Sequence, residues 1–151
     1  MSVGRICVRS VVVAQPDETV REAARRMRSE DVGTLVVLDE EGRPEGILTD
    51  RDVVVRCVAE YEDPDSMPVS VAMSGPARTI SEDAPVEDAL SLMASGGTRR
   101  LVVTDADDRL VGVLALDDVL DLLAEEVETI GRLLSHQPSP APAEPEFGEE
   151  E

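Results

Sequence analysis

The residues best suited to chemistry sit where an apolar run gives way to a helix. Thr49 and Asp52 straddle that helix start in the stretch Gly46-Ile47-Leu48-Thr49-Asp50-Arg51-Asp52. A hydroxyl, a carboxylate and the first-turn amides in this order can take the oxygens of a polar ligand. They can equally cap the helix and complement its dipole. Arg99 and Arg100 stand side by side at the entrance to another apolar run, Leu101-Val102-Val103. With 33 acids against 14 bases in the chain, such a pair forms an anion site or pairs with surface acids. Arg51 and Arg56 lie close by and are read as pairing with acids such as Asp52 or Glu60.

Residue types exclude other chemistry. All 14 basic residues are Arg, so neither a Schiff-base enzyme nor a Walker-type phosphate loop can be built. His136 is the single His, which leaves no His-centred triad or His-rich metal site. Cys7 and Cys57 are not in a C-x-x-C pair and read as buried or incidental thiols. Asp105, Asp107 and Asp108 lack the EF-hand spacing and read as a polar hairpin loop. The expectation is a protein that is not an enzyme and holds no metal.

The chain has 151 residues, 42% of them hydrophobic, with one Phe, one Tyr and no Trp. Valine and leucine must fill the core, which favours strands plus helices over a pure bundle. The net charge of −19 argues against nucleic acid, which wants a basic face and stacking platforms, and against an anionic membrane surface. No charged-then-apolar leader opens the chain and no apolar run approaches ~20 residues. A cytoplasmic protein is expected.

The chain repeats itself. Sliding it by 66 positions without a gap lays Val20 on Val86, Ala23 on Ala89, Met27 on Met93, Gly46 on Gly112 and Asp52-Val53 on Asp118-Val119. Leu35-Val36-Val37 falls on Leu101-Val102-Val103. Each unit reads as a leading strand (Val11-Val12-Val13 or Ala77 to Ile80) and a helix (Asp17 to Glu30 in the first copy, with Asp17 and Asp83 in the cap regions). Two strands and a second helix, starting near Asp50 or Leu116, follow. A unit of this size cannot bury its sheet alone. The fold class expected is α+β, a tandem pair of β-α-β-β-α units packed sheet to sheet with pseudo-two-fold symmetry. The division expected is a first repeat with its linker over 1–66, a second repeat with an extended helix over 67–135, and a disordered acidic Pro-rich tail over 136–151. Leu120, Leu123, Val127, Ile130 and Leu134 in the last helix have coiled-coil spacing. Either they lie back on their own domain or they form a seam between subunits.

Tandem units with Gly46 to Asp52 at the last strand-to-helix junction, Leu35-Val36-Val37 before Asp39, and the start Pro16-Asp17-Glu18-Thr19-Val20 resemble the cystathionine-beta-synthase (CBS) domain pair, or Bateman module. The resemblance covers residues 1 to about 126, and Gly46 to Val58 looks like free-standing bacterial CBS-pair proteins. It implies a regulatory, non-enzymatic homodimer whose four units make a flat disc. It further implies an adenosine-containing ligand (AMP, ADP, ATP or S-adenosylmethionine) in the clefts between repeats, no required cofactor, and an effector protein that reads the ligand state. The alternative is a dimerisation or protein-interaction module with vestigial clefts.

Residue by residue, the resemblance implies that Asp52 takes the ribose hydroxyls and Thr49 a phosphate or ribose oxygen. Arg99 and Arg100 would meet the phosphates, and Ile47, Ala77, Arg78 and Thr79 the adenine. The weaker second site would use Val12, Val13, Val113 and Asp118. There Ala115 replaces the Thr, and Gly33 and Thr34 stand where the first site has Arg99 and Arg100. A phosphate in that cleft is expected to meet no Arg, leaving it empty, weak or filled by an uncharged adenosyl group.

Overall fold

The computed structural model describes residues 1–136. The tail from Gln137 onward, expected to be disordered, lies outside the described residues. The first repeat contains β1 (Val13–Ala14), α1 (Val20–Glu30), β2 (Thr34–Leu38), β3 (Pro44–Thr49) and α2 (Asp50–Asp52), which runs on as a π-helical stretch, Val53–Val58. A short α3 (Val69–Ala72) leads to β4 (Thr79–Ser81), α4 (Val86–Gly96), β5 (Arg100–Thr104), β6 (Leu110–Ala115) and α5 (Leu116–Ser135). Each repeat thus carries the expected strand, helix, strand, strand, helix.

The sheets have the same topology. β1 runs parallel to β2 and β2 antiparallel to β3, while β4, β5 and β6 repeat the arrangement. Side chains alternate across a strand. Leu35 and Val37 join the core under α1, and Leu101 and Val103 the core under α4. Val36 and Val102, between them in sequence, belong to neither core yet are 1% and 0% exposed. They are buried on the faces where the two sheets meet, which makes this a tandem pair packed sheet to sheet.

The helix starts differ from the expected caps. Thr19, not Asp17, caps α1, in a reciprocal capping box with Glu22. Pro85, not Asp83, holds the equivalent place on α4 and makes no side-chain cap. The leading amides are closed from elsewhere in the chain. Val20 N–H donates to the Met67 carbonyl (2.9 Å), Arg21 N–H to Pro64 (3.0 Å) and Val86 N–H to Met1 (3.1 Å). The acidic stretch from Glu60 to Pro68 therefore closes α1 as well as joining the repeats.

Packing does not follow the division of the sequence into repeats. Val69 and Ala72 of α3, with Met67, are buried in the first core. Val3, with Ile6 and Cys7 against it, belongs to the second. Val3 is the repeat equivalent of Val69, so each unit's leading segment is exchanged into the other unit. Two glycines admit the exchanged backbone. Ile47 pairs with Ser74 beside Gly46, and Val113 pairs with Val8 beside Gly112. A Cβ on Gly46 would lie 2.8 Å from the Ser74 carbonyl oxygen, and one on Gly112 would lie 2.6 Å from that of Val8.

The acidic loops are hairpin turns. Asp39 accepts from the amides of Glu41 and Arg43, both at 2.8 Å. Asp105 accepts from Asp107 (2.9 Å) and Arg109 (3.0 Å) in the same way. The left-handed position is Gly42 (φ 81°) in the first turn and Asp108 (φ 61°) in the second. Replacing Asp108 with Gly is expected to raise stability by up to about 1 kcal/mol, because a Cβ is disfavoured there. Urea denaturation of Asp108→Gly beside the parent checks this, and an unchanged midpoint refutes it.

Candidate functional site

Two clefts form where the repeats meet. The first encloses about 560 Å³ and is lined by Ile47, Ser74, Gly75, Pro76, Ala77, Arg78, Thr98 and Arg100. Of the residues expected there, Ile47, Ala77, Arg78 and Arg100 line it, while Thr49, Asp52, Thr79 and Arg99 do not. Ser74, Gly75, Pro76 and Thr98 were not anticipated. Gly75-Pro76 is a strong turn signal in any sequence, but only the exchange of Ser74 onto Ile47 carries that turn into the cleft.

Thr49 and Asp52 form a capping box. The Asp52 amide donates to the Thr49 hydroxyl (3.1 Å) and the Thr49 amide to the Asp52 carboxylate (2.9 Å). The other Asp52 oxygen accepts from the Ser74 hydroxyl at 3.4 Å. Asp52 therefore stands one hydroxyl behind the cleft wall.

The arginines divide. Arg99 is exposed and turned to Asp117, with 3.3 Å between charged atoms. Arg56 pairs with neither Asp52 nor Glu60. It donates to the carbonyls of Ala72 and Met73 at the end of α3, where a cation complements the helix C-terminus. Arg78 is held by shape. A Cβ on Gly96 would sit 2.3 Å from its Nη1, so the guanidinium occupies the space that this glycine leaves at the end of α4. The negative helix end adds a favourable field. Arg100 N–H donates to the Thr98 hydroxyl at 3.3 Å, which fixes its backbone at the cleft edge.

The second cleft encloses about 320 Å³, and Val8, Val12, Val36, Arg100, Val113, Ala115 and Asp118 are among its lining residues. Val12, Val113 and Asp118 are where they were expected, whereas Val13 is not part of the wall. Arg100 is. The expectation that an anion here would meet no Arg therefore fails, because Arg100, at the head of the middle strand of the second sheet, lines both clefts. Asp118 accepts from the Ala115 amide (2.8 Å), the capping bond that remains when the Thr hydroxyl is absent.

Arg26, Glu18 and the two cysteines lie outside both clefts. Arg26 of α1 is bonded to Glu18 and to the Val13 carbonyl, and this bonding holds the Glu18 carboxyl below its ordinary range. Burial pushes the Cys7 thiol up, and Cys57 is fully buried. No helix among the described residues is long and apolar enough to cross a membrane.

A family model described as the CBS domain matches residues 3–58 and 69–125. An uncharacterized protein of Methanopyrus kandleri is 36% identical over 130 residues, which is 86% of this chain and 66% of that protein. The structure of the cytosolic domain of the Mg2+ channel MgtE in complex with ATP aligns at TM-score 0.69 and 31% identity, over 80% of this chain and 48% of that one. The CBS domain pair of protein MJ0100, in complex with 5'-methylthioadenosine and S-adenosylmethionine, aligns at TM-score 0.70 and 23% identity, over 83% and 98% of the two chains, and speaks for the fold alone. The matched segments begin at Val3 and Val69, the two equivalent residues that the repeats exchange. With two matched copies, two equivalent sheets and two clefts between them, the chain belongs to the CBS domain family as a tandem CBS pair, a regulatory module.

Proposed function

We propose that the protein is a sensor of an adenosine-containing ligand, bound in the cleft between β3 and β4. The observation that carries this reading is the composition of the wall. Ile47, Pro76 and Ala77 offer apolar contact for a flat base, and Arg78 and Arg100 offer two cations for phosphates. The Asp52 carboxylate stands behind Ser74 at the reach of a ribose. In support, the MgtE domain is a relative whose structure holds ATP. The ligand bridges both repeats, so its binding favours one relative setting of the sheets. The shift it can produce is bounded by its difference in affinity for the two settings.

The oligomer in this reading is a homodimer joined through α5, with an effector protein reading its shape. Leu120, Leu123, Val127, Ile130 and Leu134 are 51 to 68% exposed, and Val119 is the one buried residue of the helix. They do not lie back on their own domain. The matched family segment ends at residue 125 while the helix continues to Ser135. The seam is nearly free of charge. Ala124, Gly131 and Leu133 flank it, with Glu126 the one flanking acid, so two strongly acidic chains can meet there without opposing rows of carboxylates.

The test is calorimetric titration with AMP, ADP, ATP and S-adenosylmethionine, repeated on Arg78→Gln/Arg100→Gln. These arginines are exposed and cap nothing, whereas Asp52→Ala also removes a helix cap worth about 1 kcal/mol. Saturable binding that weakens at least about tenfold in the double variant supports the reading, since charge-assisted bonds are lost. A second reading, an interaction module with vestigial clefts, is favoured by one observation: Arg99 turns away from the cleft to Asp117. Binding of none of the four ligands decides for it.

A further inference from the structure

Arg100 occupies a place that no other cation of the chain shares. It opens β5, the middle strand of its sheet. On one side lies β4, preceded by Arg78 and Ala77 of the first cleft. On the other lies β6, whose Val113 and Ala115 line the second cleft. In the first repeat the equivalent residue is Thr34, paired with Thr49, while Arg100 is paired with Ala115. A Thr–Thr pair has become an Arg–Ala pair. The long side chain stands beside a methyl group that leaves it room, and it lines both clefts.

We infer that Arg100 is an arm shared by the two clefts, so that a phosphate-bearing ligand in one takes it from the other. This rests on the proposed nucleotide reading of the clefts. The electrostatic consequence is unequal. With Arg100 drawn to the first cleft, a phosphate there meets two guanidiniums, because Arg78 is seated on Gly96. The second cleft is then left with Asp118 as its charged wall residue and becomes unfavourable to an anion. It still offers the side chains of Val8, Val12 and Val113 to an uncharged ligand. Two anions therefore oppose each other across the repeat interface, while an anion and a neutral nucleoside do not. The coupling is reciprocal, as linkage requires.

The test is calorimetry on the full chain with ATP as the anionic probe and adenosine as the uncharged one. The wild type is expected to bind ATP in two steps, the second at least about tenfold weaker, and the protein that already holds one ATP should still take adenosine. Intrinsic weakness of the second cleft is separated from sharing by Ala77→Trp, whose uncharged ring fills the first cleft, shuts ATP out of it and leaves the arm free. Ala77→Phe serves if that variant does not fold. ATP should then bind the second cleft about tenfold more tightly than in the wild-type second step. That gain should vanish in Ala77→Trp/Arg100→Gln and return in part with Arg100→Lys. A second-cleft affinity that is the same with the first cleft filled or blocked overturns the shared arm and leaves nucleotide binding standing. So does a wild type that takes two ATP with equal affinity. No heat with either probe overturns the nucleotide reading, and the shared arm with it.

Discussion

Gly112→Val is expected to unfold the protein well below the parent's melting temperature. The Cβ alone would stand 2.6 Å from the Val8 carbonyl oxygen and 3.0 Å from the Cys7 sulfur. Backbone is the nearest neighbour, so the clash cannot be relieved by rotating a side chain. The Val8 and Val113 backbones exchange two hydrogen bonds, both 2.9 Å, and these pin the exchanged N-terminal segment to β6. Forcing the segment away would also withdraw Val3, fully buried in the second core. Overpacking of this kind costs about 3 kcal/mol or more. For a chain of this length that is a fall of roughly 6 to 12 °C. Gly131→Ala is the control. Nothing lies within 4 Å of a Cβ there, and the residue is inside a helix, so a gain of about 0.5 to 1 kcal/mol is expected. Calorimetric melting of both variants checks the pair. A Gly112→Val protein that melts with the parent would mean that the exchange does not hold the second core together.

Leu123→Glu/Ile130→Glu is expected to convert a dimer into a monomer without changing the fold. Both side chains are about half exposed in the single chain, 52% and 54%, so the fold loses little when they become polar. In a two-fold seam each substitution is counted twice, and four carboxylates would be brought into an apolar strip. Burying a side chain of this kind contributes about 1.5 to 3 kcal/mol, and isolated carboxylates cannot be buried there at all. The dissociation constant should rise by at least about 100-fold. Light scattering after size exclusion gives the mass, and far-ultraviolet circular dichroism gives the helix content. A variant that keeps the wild-type mass shows that the subunits meet elsewhere. A wild type that is already monomeric removes the seam from the proposal and leaves the clefts untouched.

The repeat, the order of elements and the strands were legible in the sequence because they are local. The unbroken apolar run Leu35-Val36-Val37, the helical stripe through Val20, Ala23 and Met27, and the register of 66 all follow from which side chains must be buried. Gly46 and Gly112 share that register, but the backbone each one admits belongs to an exchanged segment and is not local. Four of the eight residues expected in the first cleft were found on its wall: Ile47 on β3, Arg100 at the head of β5, and Ala77 and Arg78 in the turn that leads into β4.

What the tertiary structure decided concerns long side chains and crossing segments. Arg99 and Arg100 are adjacent in sequence, but alternation sends one to Asp117 and the other to the clefts. Thr49 and Asp52 have a local use, the capping box, which satisfies them before any ligand arrives. The exchange of Val3 and Val69 between cores is invisible to any window of sequence, because both units contain the same pattern and only packing assigns each segment to a core. Sequence by itself determined the two copies and their register, since period and burial are properties of neighbouring residues. Which copy each segment completes, and which cleft each arginine serves, depends on distances across the interface between sheets, and those exist only in the folded chain.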